Sequence, residues 1–189
     1  MPIEGFNLDD FTSVFEGGAR SYLFMYIPTF PFPQEIKLET YLDITGDEES
    51  IDDLKDSKMI SYHVRSTTLP ESNVEELILN WQGLDFKVAG KRSYLDWTIT
   101  FNVDINYEIR EDFEQWVDKI SSKDGHGDIK QYMQDQTLYL LNGEGTKVST
   151  VKLVDAWPKN VGAVSLDYSA MDIAQFDVTF SYQYHEITK

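Results

Sequence analysis

From Leu95 to Val103 every second residue is large and apolar: Leu95, Trp97, Ile99, Phe101 and Val103. Between them stand Asp96, Thr98, Thr100, Asn102 and Asp104. Side chains on a strand point to opposite faces in turn, so this pattern specifies a strand with one buried and one wet face. The same period recurs in Ile60-Tyr62-Val64, in Leu77-Leu79-Trp81, and in Val164-Leu166-Tyr168. It returns in Phe176-Val178-Phe180-Tyr182-Tyr184. Thr137 to Leu141 and Lys147 to Val154 flank Asn142-Gly143-Glu144-Gly145, a hairpin signal. Thr68-Leu69-Pro70 is expected to stop the strand before it, and Trp157-Pro158 the unit before it, because proline has no ladder donor. Ser21 to Ile27 is apolar without alternation and reads as a strand buried on both faces.

One segment follows the helical period instead. Ile109, Phe113, Trp116, Val117 and Ile120 form a single apolar stripe. The spacing predicts a helix over about 107–120, with Asn106 as N-cap and Gly125 and Gly127 beyond its end. The stripe residues Phe113, Trp116, Val117 and Ile120 are expected to pack on the strands. Glu111, Asp112, Glu114 and Asp118 lie on the other face. Strands, one helix and strands again give a mainly β, α+β fold: a small sandwich or barrel with one flanking helix.

The length of 189 residues suits one domain over 1–189. Two parts stand apart from it: a lead-in arm, 1–20, and a proline-marked acidic excursion, 31–58. The excursion carries Asp47, Glu48, Glu49, Asp52 and Asp53.

The chain has 33 acids against 16 bases, a formal charge of -17. A groove that grips nucleic-acid phosphates needs clustered cations, which this balance disfavours. With no cysteine, disulfides, zinc thiolates and thiol nucleophiles are excluded. The first residues lack a basic region followed by an apolar run, so no signal peptide is expected, nor a membrane span. His63, His126 and His185 show no ligand spacing. Gly90-Lys91-Arg92-Ser93 would need glycine at Asp85 to be a phosphate loop. Asp43 to Glu49 lacks the ligand spacing and central glycine of a calcium loop. No catalytic, cofactor-binding or metal site is expected. Strands with free edges and no site chemistry suit an assembly subunit.

Four stretches together resemble the tail tube proteins of contractile-tailed bacteriophages. They are LDDFTSVFEGGARSYLFMYI, the strand ending STTLP, VAGKRSYLDWTITFNVDINYEIREDFEQW, and AWPKNVGAVSLDYSAMDIAQFDVTFSYQYHE. They run in the family's order from Leu8 to Glu186, and the last two are the specific ones. The departure is 31–58, longer than the family's connection there. The resemblance implies a tail-tube-like fold and a virion structural protein. It further implies hexameric rings stacked into the hollow inner tube of a contractile tail, through which DNA passes at ejection, without catalysis or cofactor. The implied partners are the chain itself, a sheath protein, a baseplate tube initiator, and a tape-measure protein in the lumen. DNA is met in transit, unbound. Glu111, Asp112, Glu114 and Asp118 are then candidates to face the sheath, and Asp47, Glu48, Glu49, Asp52 and Asp53 to contact the next ring. Segments 60–66, 74–82, 137–142 and 147–155 are candidates to line a lumen whose acidity repels DNA. A baseplate tube initiator or a tailocin or type VI secretion-like tube subunit would share the fold. A small binding module or carboxylate enzyme is the reading from another class.

Overall fold

Trp97, Ile99 and Phe101 lie at the centre of the core, none more than 1% exposed, while Thr98 and its alternate neighbours face out. The computed structural model describes residues 19–32, 60–122, 125–169 and 171–189. Nearly all of the lead-in arm and of the acidic excursion falls outside these residues. The described elements, in order, are β1 (Phe24–Ile27), β2 (Val64–Thr67), β3 (Ser72–Trp81), β4 (Leu84–Tyr94) and β5 (Trp97–Asn102). Then come α1 (Glu108–Ile120), β6 (Ser121–Ser122), β7 (Gly125–His126) and α2 (Ile129–Tyr132). β8 (Gln134–Leu141), β9 (Lys147–Val161), β10 (Gln175–Ser181) and β11 (Tyr184–Thr188) complete the chain.

Seven strands pair in the order β1-β8-β9-β10-β5-β2, with β11 also on β9, and every pairing is antiparallel. The first part of β9 pairs with β8 and β11, and Trp157 to Val161 pairs with β10. Asp155 has a φ of 53°, in the left-handed region. A residue there bends a strand, and a strand that bends can serve two layers. β9 is thus the strand shared by the two layers of a sandwich, β1-β8-β9-β11 and β9-β10-β5-β2.

Several expectations need correction. Of the two forms expected, sandwich or barrel, the described strands make the open sandwich, with β1, β2 and β11 at its edges. Residues 60–63 are helical, and the strand begins only at Val64. Pro158 does not end the unit. It lies within β9, opposite Phe180, where the ladder register shifts and no donor is required of it. The final alternating stretch is two strands, because the chain passes from one layer to the other at Tyr182-Gln183. Val164 to Tyr168 is not a strand: it belongs to an irregular loop.

Phe113 and Trp116 of α1 are fully buried, Ile109 nearly so, and Val117 and Ile120 half-buried. Phe113 lies 5.1 Å from Phe30 and 5.2 Å from Phe101, ring centre to ring centre, and Trp116 lies 5.9 Å from Phe180. The Trp116 indole N–H donates to the Tyr132 carbonyl at 2.7 Å. Asn106 is not the N-cap. Tyr107 holds that position at a φ of 63°, and the Asp104 carboxylate accepts the N–H groups of Asn106, Glu108 and Ile109 at 3.0–3.2 Å. A carboxylate there also meets the positive end of the helix dipole. After the helix, Gly127 packs so closely on the Lys119 carbonyl that a Cβ would collide with it.

The core holds one buried polar knot. The Tyr26 hydroxyl donates to Gln136 Oε1 at 2.6 Å, the Thr29 N–H donates to the same oxygen at 3.2 Å, and Gln136 Nε2 donates to the Thr29 carbonyl at 2.8 Å. Desolvation pushes the Tyr26 phenol well above its ordinary pKa, so it remains a donor. The knot fixes where the chain leaves β1.

Candidate assembly interface

β3 and β4 form a two-stranded ribbon that no other strand among the described residues joins. Gln82 and Gly83 have φ of 50° and 80°, the two positive values that a tight type I′ turn needs. This turn sets the register: Leu77 faces Val88, Leu79 faces Phe86 and Trp81 faces Leu84. Partners in an antiparallel pair share a face, so these six apolar side chains form one surface. The other face carries Glu76 against Lys87 at 3.0 Å and Asn80 against Asp85 at 2.9 Å. No part of the sandwich covers the apolar side: Trp81 is 71% exposed, Leu84 74% and Phe86 62%. Such a surface reaches several hundred Å², at the upper limit of what a soluble monomer leaves bare. An isolated hairpin is also marginal in water. Both facts call for a partner.

The base of the ribbon is anchored. Tyr94 meets His185 edge-on at 5.3 Å and Tyr182 at 6.0 Å, and the Arg92 guanidinium lies 5.0 Å over the Tyr94 ring. The Trp97 indole N–H donates to the Thr68 carbonyl at 2.6 Å. Burial first, and the Arg92 charge second, hold the His185 imidazole below its usual pKa. His185 is thus part of the packing at the ribbon's base, and Gly90 to Ser93 lies in β4, where the ladder register shifts opposite Glu75. His126 is exposed in β7 and His63 ends the 60–63 turn, so the structure brings none of the three histidines together. Among the described residues no three His, Asp or Glu groups are placed to hold a metal ion.

Among the described strands β1, β2 and β11 each pair on one side only. β1 and β2 end the sheet, and a groove between them is lined by Tyr22 and Phe24 on one side and Val64 and Thr67 on the other.

On α1, Glu111, Glu114 and Asp118 are exposed and Asp112 is half-buried. Arg110 pairs with Glu114 at 2.8 Å and donates to the Gly162 carbonyl at 2.5 Å. Asp47, Glu48, Glu49, Asp52 and Asp53 lie outside the described residues.

Charge on the outward faces of the strands is close to balanced. Lys152 lies 2.6 Å from Asp135, and Lys159 2.7 Å from Asp96. The acidic excess among the described residues sits on α1 and in the loops, which hold Glu71, Asp104, Asp128, Glu144, Asp167 and Asp172, rather than on a strand face. The expectation of an acidic strand-lined lumen therefore finds no dense acidic strand here.

Burial raises the Asp135 pKa, but bonds from Lys152 and from the Asp155 N–H, with the Lys152 charge, outweigh it and leave the group below its usual value. A depressed carboxylate stabilises the fold above its unfolded pKa, and that stabilisation disappears as pH falls through the folded value. Asp135→Asn is expected to cost about 1 kcal/mol or less at pH 7, because the pair is largely exposed. The cost should shrink toward zero below the folded pKa. Urea titrations at pH 7 and near pH 3 check this, and an equal loss at both would contradict it.

A family model described as phage tail tube protein matches residues 24–188. A tail tube protein of Serratia phage KSP90 is 30% identical over 110 residues, 57% of this chain and 62% of that protein. Tail tube protein gp19 of Enterobacteria phage T4 is 27% identical over 132 residues, 67% of this chain and 80% of that one. Among solved structures, the sheath/tube terminator of the extracellular contractile injection system PVC superposes with a TM-score of 0.56. It is 19% identical over 67% of this chain and 85% of that one. The sheath-tube complex of the same system gives 0.51 at 20% identity over 66% and 80%. These two establish a shared fold.

Proposed function

The chain belongs to the phage tail tube protein family, and on that premise we propose that it forms hexameric rings stacked into the inner tube of a contractile tail. It is a structural protein of the virion and not an enzyme. The observation that carries the reading is the β3–β4 ribbon, whose apolar face no described residue encloses, together with the edges that β1, β2 and β11 present among the described strands. Ring closure removes edges by pairing them between copies, and association covers the apolar face.

DNA passes through the lumen without being bound, which suits outward strand faces that are polar and near charge balance. During assembly the lumen holds a tape-measure protein, and growth starts from a baseplate initiator. The acidic segment with Asp47, Glu48, Glu49, Asp52 and Asp53 contacts the neighbouring ring. The sheath meets the acidic face of α1. Double charge reversal, Glu114→Lys with Asp118→Lys, should weaken sheath attachment at least tenfold and leave tubes intact, since neither residue is in the core. Co-sedimentation of tubes with sheath protein measures this, and unchanged attachment would remove α1 as the sheath surface.

A further inference from the structure

His185 stands on the edge strand β11 opposite Leu153, which is fully buried. Directly opposed residues share a face, so the imidazole enters from the edge onto the core side of its layer. There it meets Tyr94, the last residue of β4, at 5.3 Å and Tyr182 at 6.1 Å, ring centre to ring centre. This three-ring packing and the Trp97–Thr68 bond tie the base of the β3–β4 ribbon to the sandwich.

Two enclosed polar atoms in the packing have no hydrogen-bond partner among the described residues: His185 Nδ1 and the Tyr182 hydroxyl. A neutral imidazole can carry its one proton on Nε2 and leave Nδ1 as a lone pair. An imidazolium carries a proton on both nitrogens. Nδ1 would then be a buried, charged donor without an acceptor, which is far more costly.

The charges around the ring do not offset that cost. On β4, Arg92 lies 5.0 Å over Tyr94 and donates to the Ser72 hydroxyl at 3.1 Å, which fixes a cation beside the imidazole. Asp96 is taken by Lys159 at 2.7 Å. Tyr184 and Glu186, the neighbours of His185 on β11, point to the other face, Glu186 opposite Lys152 of β9. The Glu71 charge acts on Tyr182 and not on the imidazole.

We propose that His185 is an acid-sensitive latch on the ribbon: the neutral ring packs on Tyr94 and Tyr182 and fixes the ribbon's base, and the protonated ring leaves that packing and frees the ribbon. The sign follows from linkage. A histidine whose folded pKa is depressed supports the fold fully above its unfolded value, and that support is lost as pH falls through the folded value. The loss is local. The rest of the core is apolar apart from the Tyr26–Gln136–Thr29 knot, whose phenol keeps its proton, so the ribbon loosens while the sandwich stays folded. The latch lies within one chain and is independent of the tail tube reading.

The absence of cysteine lets spin labels be placed singly. Full-length chain with Ile78→Cys on the ribbon and Gln115→Cys on α1 is labelled and diluted into unlabelled chain. Pulsed electron paramagnetic resonance measures the label-to-label distances at about pH 7.5 and about pH 5, above and below the ordinary histidine pKa. The expected result is a narrow distribution at the higher pH and one at least about twofold wider at the lower. His185→Phe keeps a ring in the packing with no proton to gain, and its distribution should stay narrow at both. Proton NMR of the unlabelled chain, assigned by the signal that His185→Phe removes, should place the His185 midpoint below ~6.5. Equal widths at the two pH values, equal broadening in the parent and in His185→Phe, or a His185 midpoint at or above ~6.5 would overturn the latch.

Discussion

Replacing Leu79 and Phe86 together by aspartate is expected to abolish tube formation and leave the sandwich folded. The two face each other on the apolar side of the β3–β4 ribbon, 55% and 62% exposed in the free chain. Burying one such side chain on association contributes about 1.5–3 kcal/mol. A carboxylate in its place adds a desolvation cost instead. Two changes per subunit should weaken association by at least ~4 kcal/mol, roughly a thousandfold. Neither residue belongs to the core, so the thermal midpoint should stay within about 2 °C of the parent. Sedimentation and electron microscopy read the assembly, and circular dichroism reads the fold. Normal tubes from the double variant would show that the ribbon face is not an assembly surface.

The second large effect is in the core. Trp116→Ala should cost about 3–5 kcal/mol, the range for removing a fully buried aromatic. Trp116 fills the space between Phe30 and Phe180 and ties α1 to the Tyr132 carbonyl, so its loss opens a cavity and orphans an acceptor. For a chain of this size that is a fall in thermal midpoint of roughly 10–15 °C. Tube yield should fall with it, through the folded fraction rather than through a contact. Differential scanning calorimetry checks this, and a midpoint unchanged within about 3 °C would mean that α1 does not brace the sandwich.

Much of the architecture is legible in the chain because burial and pattern coincide. β5 alternates over its full length, and one face is enclosed. The stripe from Ile109 to Ile120 marks the buried side of α1. Asn142-Gly143-Glu144-Gly145 marks the β8–β9 turn, where the Asn142 side chain accepts the Glu144 and Thr146 N–H groups. The six apolar residues flanking Gln82-Gly83 mark one face of a ribbon, although alternation cannot say whether a core or another subunit covers it. Ile105, Tyr168 and Met171 share that difficulty, and no local signal separates an exposed apolar residue from a buried one.

Other features lie beyond local pattern. Ile60 to Val64 alternates, but so few residues fit a helical turn equally well, and Ile60 is buried within one. Pro158 obeys the rule that keeps proline from ladder positions by sitting at a register shift, which depends on Phe180 more than twenty residues away. Asp155 bends β9 between the layers, and only the tolerance of aspartate for positive φ hints at it. Asp104 takes the capping role from Asn106 because the chain turns through Tyr107 before the helix begins.

The central claim is that this chain closes its edges and covers its ribbon by assembling with itself. Electron microscopy of the purified full-length chain, with its sedimentation followed over concentration, tests it most directly. The account predicts six-fold hollow rings that stack into tubes as concentration rises. A particle that stays monomeric at the highest attainable concentration, with no rings, would contradict it.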